Sequence, residues 1–258
     1  MKINWIIEKN DICCIKEFVD SQSGKSFVKK RIERNVEGAI PDCNRDIFWK
    51  EMVSCLLTTQ QRSGPESSVT RFIRTDPFPL NLNECKNKSN LKEFVEDTIT
   101  NFGGLRRAKT IGDAVLCNFK WLKDGGWQEI EAAAERLVEP RRRSPRFDDK
   151  FIDIEREAAK VAIDKLKGFG PKQSRNLWQS LGLTRFEIPV DSRITKWFNK
   201  NGFPVRLSAG ALSDENYYNF VMDGIQQACK ASEVYPCVLD AAIFASFDQE
   251  WPEDKLIW

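Results

Sequence analysis

Residues 166–191, LKGFGPKQSRNLWQSLGLTRFEIPVD, decide how the rest of the chain is read. Ile154 to Leu166 and Pro171 to Leu181 carry apolar residues at helical spacing, and Gly168-Phe169-Gly170 joins them. The two glycines, Gly168 and Gly170, permit positive φ and close approach to the backbone. Pro171 falls at the start of the second helix, where a missing N–H costs nothing. The N–H groups of the hairpin and of the following turn point outward beside a positive helix end, which makes a ready phosphate site. Lys172 stands in that first turn. Asp191 follows it by nineteen residues, just after Pro189-Val190 and just before Ser192-Arg193-Ile194, a place for a helix N-cap. Gly-x-Gly alone would read as a tight helix–helix turn. Leu166, Gly-Phe-Gly-Pro, Lys172 and then Leu177 make the pattern more specific.

Bulk properties narrow the classes. At 258 residues the chain can bury a sizeable core in one or two domains, and 41% hydrophobic with 30% charged residues is ordinary for a globular protein. No apolar run approaches the roughly 18 residues of a membrane span. The first residues, MKINWIIEKNDICC, have an apolar patch broken by Glu8, Lys9 and Asp11, a poor signal peptide, so an intracellular protein is expected. The net charge of +2 argues neither for nor against nucleic acid. Basic clusters stand at Lys29-Lys30-Arg31, Arg106-Arg107 and Arg141-Arg142-Arg143 with Arg146; each reads as a solvated face or a DNA contact. Eight cysteines include no Cys-x-x-Cys pair, and Cys55 and Cys117 fall on apolar helical faces, so reduced structural thiols are expected. The chain has no histidine, which removes Ser-His-Asp and Cys-His catalysis and most zinc sites. Acid–base chemistry is left to Asp, Glu, Lys, Tyr or Cys.

Helical spacing recurs along the chain. Phe48, Met52, Val53, Leu56 and Leu57 share a face of a helix begun near Asn44 or Asp46, and Pro65 to Ile73 starts another. Asn90 is placed to cap the helix of Leu91, Phe94, Val95 and Ile99; Ala108 to Phe119 and Ile130 to Leu137 follow, the latter running up to Pro140. Asp191 to Asn199, Asp214 to Ala231 and Tyr235 to Phe247 complete the set. Residues 26–40 read as a strand pair or an irregular arm, and Thr75 to Lys88 and Glu139 to Asp149 as loops. The reading is a mainly helical protein.

The stretch from 166 to 193 resembles the helix-hairpin-helix and Gly/Pro…Asp signature of the base-excision DNA glycosylases, the superfamily of endonuclease III and 8-oxoguanine glycosylase. The resemblance extends more loosely over residues 46 to 247. It implies an all-α fold of two helical lobes: a barrel lobe from 44 to 190 carrying the hairpin, and a second lobe made of 1–43 plus 191–258. It implies that Lys172 is the nucleophile and Asp191 the essential carboxylate, because members that excise the base and then nick the strand carry such a lysine. It implies hairpin contact with the DNA backbone through Gly168 and Gly170, with a monovalent cation on the hairpin carbonyls. Residues 48–61, FWKEMVSCLLTTQQ, match the helix whose terminal glutamine fills the gap left by the flipped base, here Gln60. Residues 102–111, FGGLRRAKTI, resemble the turn that wedges into the duplex, here Leu105, Arg106 and Arg107. VLDAAIFASF resembles the last long helix, whose aromatic, here Phe244, stacks on the extruded base. Asp240 stands where 8-oxoguanine glycosylase has a glutamine that reads the base edge, a departure that bears on substrate. Endonuclease III proteins often carry a late four-cysteine iron–sulfur motif. Only Cys229 and Cys237 lie late here, so no such cluster is expected.

The chemistry follows from these residue types. Displacing a base from C1′ of deoxyribose passes through an oxocarbenium-like transition state, which a carboxylate stabilises. A lysine free amine attacks the sugar carbon, and the Schiff base permits β-elimination. The base must leave the stack. The resemblance implies excision of an oxidised base, 8-oxoguanine before oxidised pyrimidines, with AP-lyase strand cleavage. The expected partner is double-stranded DNA, acted on by a monomer with no membrane, in the cytoplasm, nucleoid or nucleus. A monofunctional glycosylase, in which Lys172 only touches phosphate, and a non-catalytic hairpin DNA-binding protein remain open. Trp178 and Trp197 read as core residues.

Overall fold

The computed structural model describes residues 4–61, 63–143 and 147–247, with the backbone alone at 140–143. Among them there is no strand. The helices are α1 Lys9–Gln22, α2 Ser26–Ile32, α3 Arg45–Thr58, α4 Ser68–Ile73, α5 Leu82–Lys86, α6 Leu91–Phe102, α7 Ala108–Trp121, α8 Trp127–Arg143, α9 Asp149–Lys165, α10 Pro171–Ser180, α11 Ser192–Lys200, α12 Glu215–Ala231 and α13 Pro236–Phe247. Among the described residues no helix is long and apolar enough to cross a membrane.

Local signals set many of the ends. Asn44 caps α3 by accepting the N–H groups of Asp46 and Ile47 at 3.1 and 3.0 Å, and Asn90 caps α6 through Glu93 N–H at 3.3 Å. Pro171 opens α10 directly after Gly170.

Several expectations are corrected. Residues 26–37 are helical, neither strand pair nor irregular arm: α2 continues into one wide turn over Glu33–Glu37. Phe27, Val28 and Arg31 make its buried face against α13, and the charged residues between them hide that spacing in the sequence. α4 starts at Ser68 rather than Pro65, because the Ser67 hydroxyl accepts Thr70 N–H at 3.1 Å. The loop over Thr75 to Lys88 contains α5, and the loop over Glu139 to Asp149 is shorter than expected, since α8 carries through Pro140 to Arg143. Arg146 lies outside the described residues. Cys55 is buried, but Cys117 is exposed on the solvent side of α7.

The buried apolar residues form two clusters. One spans α3 to α10 and includes Trp49 and Trp178, whose indole N–H groups donate to Leu80 O and Ala158 O at 2.8 Å each. The other is built from α1 and α2 at one end of the chain and α11 to α13 at the other, around Tyr218, Met222, Leu239 and Ile243. Trp197 belongs to it. The chain passes from the first cluster to the second between Leu183 and Ile188, in a wholly buried strap that leads from α10 to Asp191.

Candidate active site

The hairpin between α9 and α10 is fixed from both sides. Gly168 has φ +90°, and a Cβ there would stand 2.7 Å from Leu56 Cδ2, so both conformation and space require glycine. The Asn118 side chain of α7 accepts Lys167 N–H at 2.7 Å and donates to Lys167 O at 3.2 Å. Gly170 differs from the sequence-based expectation. Its backbone is extended, and nothing lies within 4 Å of where its Cβ would be. It leaves the approach to the first turn of α10 open rather than making the turn.

Lys172 sits half-buried in that first turn. Next to it, buried Gln173 donates to Cys55 O at 2.6 Å and Thr59 Oγ1 at 2.5 Å, which ties α10 to the end of α3. The chain then turns at Gln60, which has φ +56°, and its carbonyl accepts from Arg106 Nη2 at 3.1 Å. Arg107, with φ +67°, donates from Nη1 to Thr59 O at 3.2 Å. Two non-glycine residues in left-handed conformation, side by side, are strained backbone of the kind that collects at functional sites. Gln61 joins the two turns: its Oε1 accepts Arg106 N–H at 2.7 Å and its Nε2 donates to Leu57 O at 2.8 Å. Leu105 packs against the first core, while Arg106 is exposed. The structure thus gathers Gln60, Leu105, Arg106 and Arg107 at the end of α3, which Gln173 links to the hairpin. The sequence does not single out Gln61 and Gln173, because each stands in a polar run, TTQQ at 58–61 and KQSRN at 172–176, where a structural glutamine looks like a surface residue.

Asp191 lies at the far end of the strap as the N-cap of α11. Its Oδ1 accepts Arg193 N–H at 2.7 Å and Ile194 N–H at 3.1 Å, and its Oδ2 pairs with Arg193 Nη1 at 3.0 Å. The side chain keeps 20% of its surface exposed, so one carboxylate both caps a helix and meets solvent. The Arg193 guanidinium also lies 4.4 Å from the Phe244 ring centroid, and Phe244 stacks on Phe27 at 4.3 Å. Phe244 therefore touches both a cation and a second ring. Arg193 and Phe27 carry no sequence motif and are found only through this contact.

Asp240, one turn before Phe244 on α13, is buried and accepts Gln179 Nε2 at 2.6 Å across the junction between the two cores. Burial pushes its carboxyl up to about 6, with the Arg31 guanidinium pulling the other way. Arg31 is itself buried; it donates to Asn35 Oδ1 at 3.2 Å and Gln179 O at 3.3 Å. Of the basic cluster at 29–31, Arg31 is thus an internal residue, while Lys30 pairs with Glu33 at the surface. Among the described residues no group of three or more Cys, Asp or Glu side chains could hold a metal ion.

The arrangement has a helix N-terminus open to an anion, an amine in its first turn, a partly exposed carboxylate at the end of the strap that follows, and an aromatic ring, Phe244, that shares the Arg193 guanidinium with that carboxylate. No family model matches the sequence, and no curated protein is detectably similar to it. Solved structures do match. The chain superposes on the 8-oxoguanine DNA glycosylase of Methanocaldococcus jannaschii with a TM-score of 0.63 at 15% identity, covering 93% of this chain and 95% of that one. For the 8-oxoguanine DNA glycosylase of Thermotoga maritima the TM-score is 0.64 at 13% identity, covering 92% and 98%. A Methanocaldococcus jannaschii 8-oxoguanine glycosylase/lyase in complex with a 15mer DNA containing 8-oxoguanine gives 0.63 at 14% identity, covering 93% and 100%. The all-α fold of this chain is the fold of those glycosylases.

Proposed function

We propose that this protein is a bifunctional DNA glycosylase and AP lyase that excises an oxidised base, 8-oxoguanine in the first place, from duplex DNA. The observation that carries the reading is the placement of Lys172 on the hairpin helix and Asp191 at the end of the one buried strap that follows it. The fold shared with 8-oxoguanine glycosylases supports it. The proposed lobes are 44–190 and 1–43 with 191–258.

In this reading the hairpin N–H groups at Gly168 and Gly170 take a backbone phosphate at the α10 N-terminus. Hairpin carbonyls would hold a monovalent cation. Those of Leu166 and Lys167 accept Phe169 N–H and the Asn118 amide, each with a second lone pair to offer, so the site needs no side-chain ligand. The cation would add positive charge beside the phosphate. Gln60, Leu105, Arg106 and Arg107 fill and wedge the gap in the duplex. The extruded base stacks on Phe244 in place of Arg193, and Asp240 accepts from N–H groups on its edge.

Asp191 stabilises the positive charge that develops on the sugar as the bond from C1′ to the base breaks and its electron pair leaves with the base. The lone pair of Lys172 Nζ forms the new bond to C1′. Ring opening breaks the C1′–O4′ bond as Nζ passes one proton to O4′, which gives the protonated Schiff base; solvent returns a proton to the departed base anion and takes one from C2′, and the C3′–O bond then breaks with its electron pair leaving on the phosphate.

The test is borohydride trapping on duplexes containing 8-oxoguanine, thymine glycol, uracil or an abasic site. Wild type is expected to form a covalent adduct, most readily with 8-oxoguanine, and Lys172→Gln none. Base release without an adduct would make the enzyme monofunctional. Tight binding with neither would leave a hairpin DNA-binding protein.

A further inference from the structure

From Leu181 to Val190 every residue is buried, and among the described residues no strand lies alongside to pair with the backbone. Buried peptide groups need partners, and here side chains supply them. Glu155 of α9 accepts three successive N–H groups, from Arg185, Phe186 and Glu187, at 2.9, 2.8 and 2.8 Å. The Tyr218 hydroxyl of α12 accepts Val190 N–H at 2.6 Å and donates to Ile188 O at 2.9 Å. Gln226 of α12 donates to Phe186 O at 3.2 Å and to Glu187 Oε1 at 2.8 Å.

Glu187 is the centre of this arrangement. Its side chain is fully buried and meets Arg175 Nε at 2.5 Å and Arg156 Nη2 at 3.0 Å. Burial raises its carboxyl, but the Arg175 and Arg156 guanidiniums outweigh burial and hold it below the ordinary value. Arg175 stands on α10 three residues after Lys172. It also donates to Pro171 O at 3.0 Å and to Asn219 Oδ1 at 2.6 Å, and its guanidinium lies 4.3 Å from the Tyr218 ring centroid. One guanidinium therefore touches the first turn of the lysine helix, the strap, and the tyrosine that holds the strap one residue before Asp191.

A buried ion pair adds little net stability over an apolar layer of the same volume, because desolvation offsets the attraction. Stability alone gives no reason for these charges. What they fix is register: a strap held at Phe186, Glu187, Ile188 and Val190 cannot slide past α9 and α12, and Arg175 ties Glu187 to α10. We propose that Arg175, Glu187 and Tyr218 are positioning residues that set where the Asp191 carboxylate stands relative to Lys172. The proposal rests on the glycosylase reading above.

Tyr218→Phe tests it, because it removes both strap contacts of the hydroxyl and leaves the ring. Misplacing a reacting group by about 1 Å costs on the order of 100-fold in rate. Single-turnover base excision is therefore expected to fall about 10- to 100-fold. Cleavage of a preformed abasic site, which uses Lys172 and has no base to expel, is expected to fall much less, and DNA affinity to stay within about twofold of wild type. Gln226→Leu, which releases Phe186 and Glu187, follows the same pattern and serves if Tyr218→Phe does not fold. Excision and abasic-site cleavage falling together, or a lowered melting temperature with excision unchanged, would overturn the positioning role while wild-type activity upholds the glycosylase reading. A wild type inactive on every lesion would overturn both.

Discussion

Replacing Gly168 by alanine puts a methyl group where the structure has least room for it. At φ +90° an L side chain is strained, and the left-handed region costs roughly 1–2 kcal/mol. The new Cβ would also stand 2.7 Å from Leu56 Cδ2 and 3.6 Å from Ala114 Cβ. Leu56 is 5% exposed, inside the first core, and has little space to retreat into. Overpacking of a core adds about 1–3 kcal/mol. The sum is about 2–5 kcal/mol. For a chain of this size that lowers the melting temperature by roughly 4–20 °C. Urea denaturation should show an earlier midpoint with an unchanged slope. Gly170→Ala is the control. Its backbone is extended and its Cβ position open, so the gain from a stiffer unfolded chain and the loss of an N-cap glycine leave stability within about 1 kcal/mol of wild type. Its methyl stands instead where the hairpin would approach phosphate, so it should weaken binding to damaged and undamaged duplex by a similar factor. If Gly168→Ala proved as stable as wild type, or if both variants lost stability equally, the assignment of turn-making to Gly168 and of open approach to Gly170 would be wrong.

Asp191→Asn separates capping from chemistry. Asparagine caps as well as aspartate, so stability should stay within about 1 kcal/mol, while base excision should fall about 100-fold or more with the charge gone; an undiminished single-turnover rate would reduce Asp191 to a helix cap. Asp240 gives a pH signature. Its carboxyl moves from 3.8 to about 6 on folding, so as pH rises from about 4 to about 6 the unfolded chain ionises first and stability falls, by about 3 kcal/mol in all. Asp240→Asn cannot titrate and should gain that much on wild type between pH 4 and 7; a stability difference that stays flat across this range would refute the buried, reluctant carboxylate.

What the sequence discloses and what it hides divide by distance along the chain. Asn44, Asn90, Pro171 and Asp191 act on groups within four residues, and each is legible as a cap or helix start. The Gly168 turn is legible for the same reason, although its requirement for glycine comes equally from Leu56, far away in sequence. The second helix defeats the reading because its apolar positions are interleaved with lysine and arginine. Arg31 within it looks like surface charge, yet is buried against Asn35 and the α10 terminus. Around the candidate site, Gln61, Gln173, Arg193 and Phe27 acquire their places through partners that no local pattern names. The run LGLTRFEIPV offered one unused signal: two charges inside an apolar stretch, Arg185 and Glu187, had to be met by something.

The second core is assembled from the two ends of the chain. A ribosome making this protein releases α1 and α2 first, yet their partner α13 follows only about 200 residues later, a wait of roughly 10–40 s at ordinary synthesis rates. Helices α3 to α10 meet their own neighbours during that wait. The nascent chain therefore owns a finished hairpin before the surroundings of Asp191 exist, and under the proposed function chemistry is the last capacity it acquires.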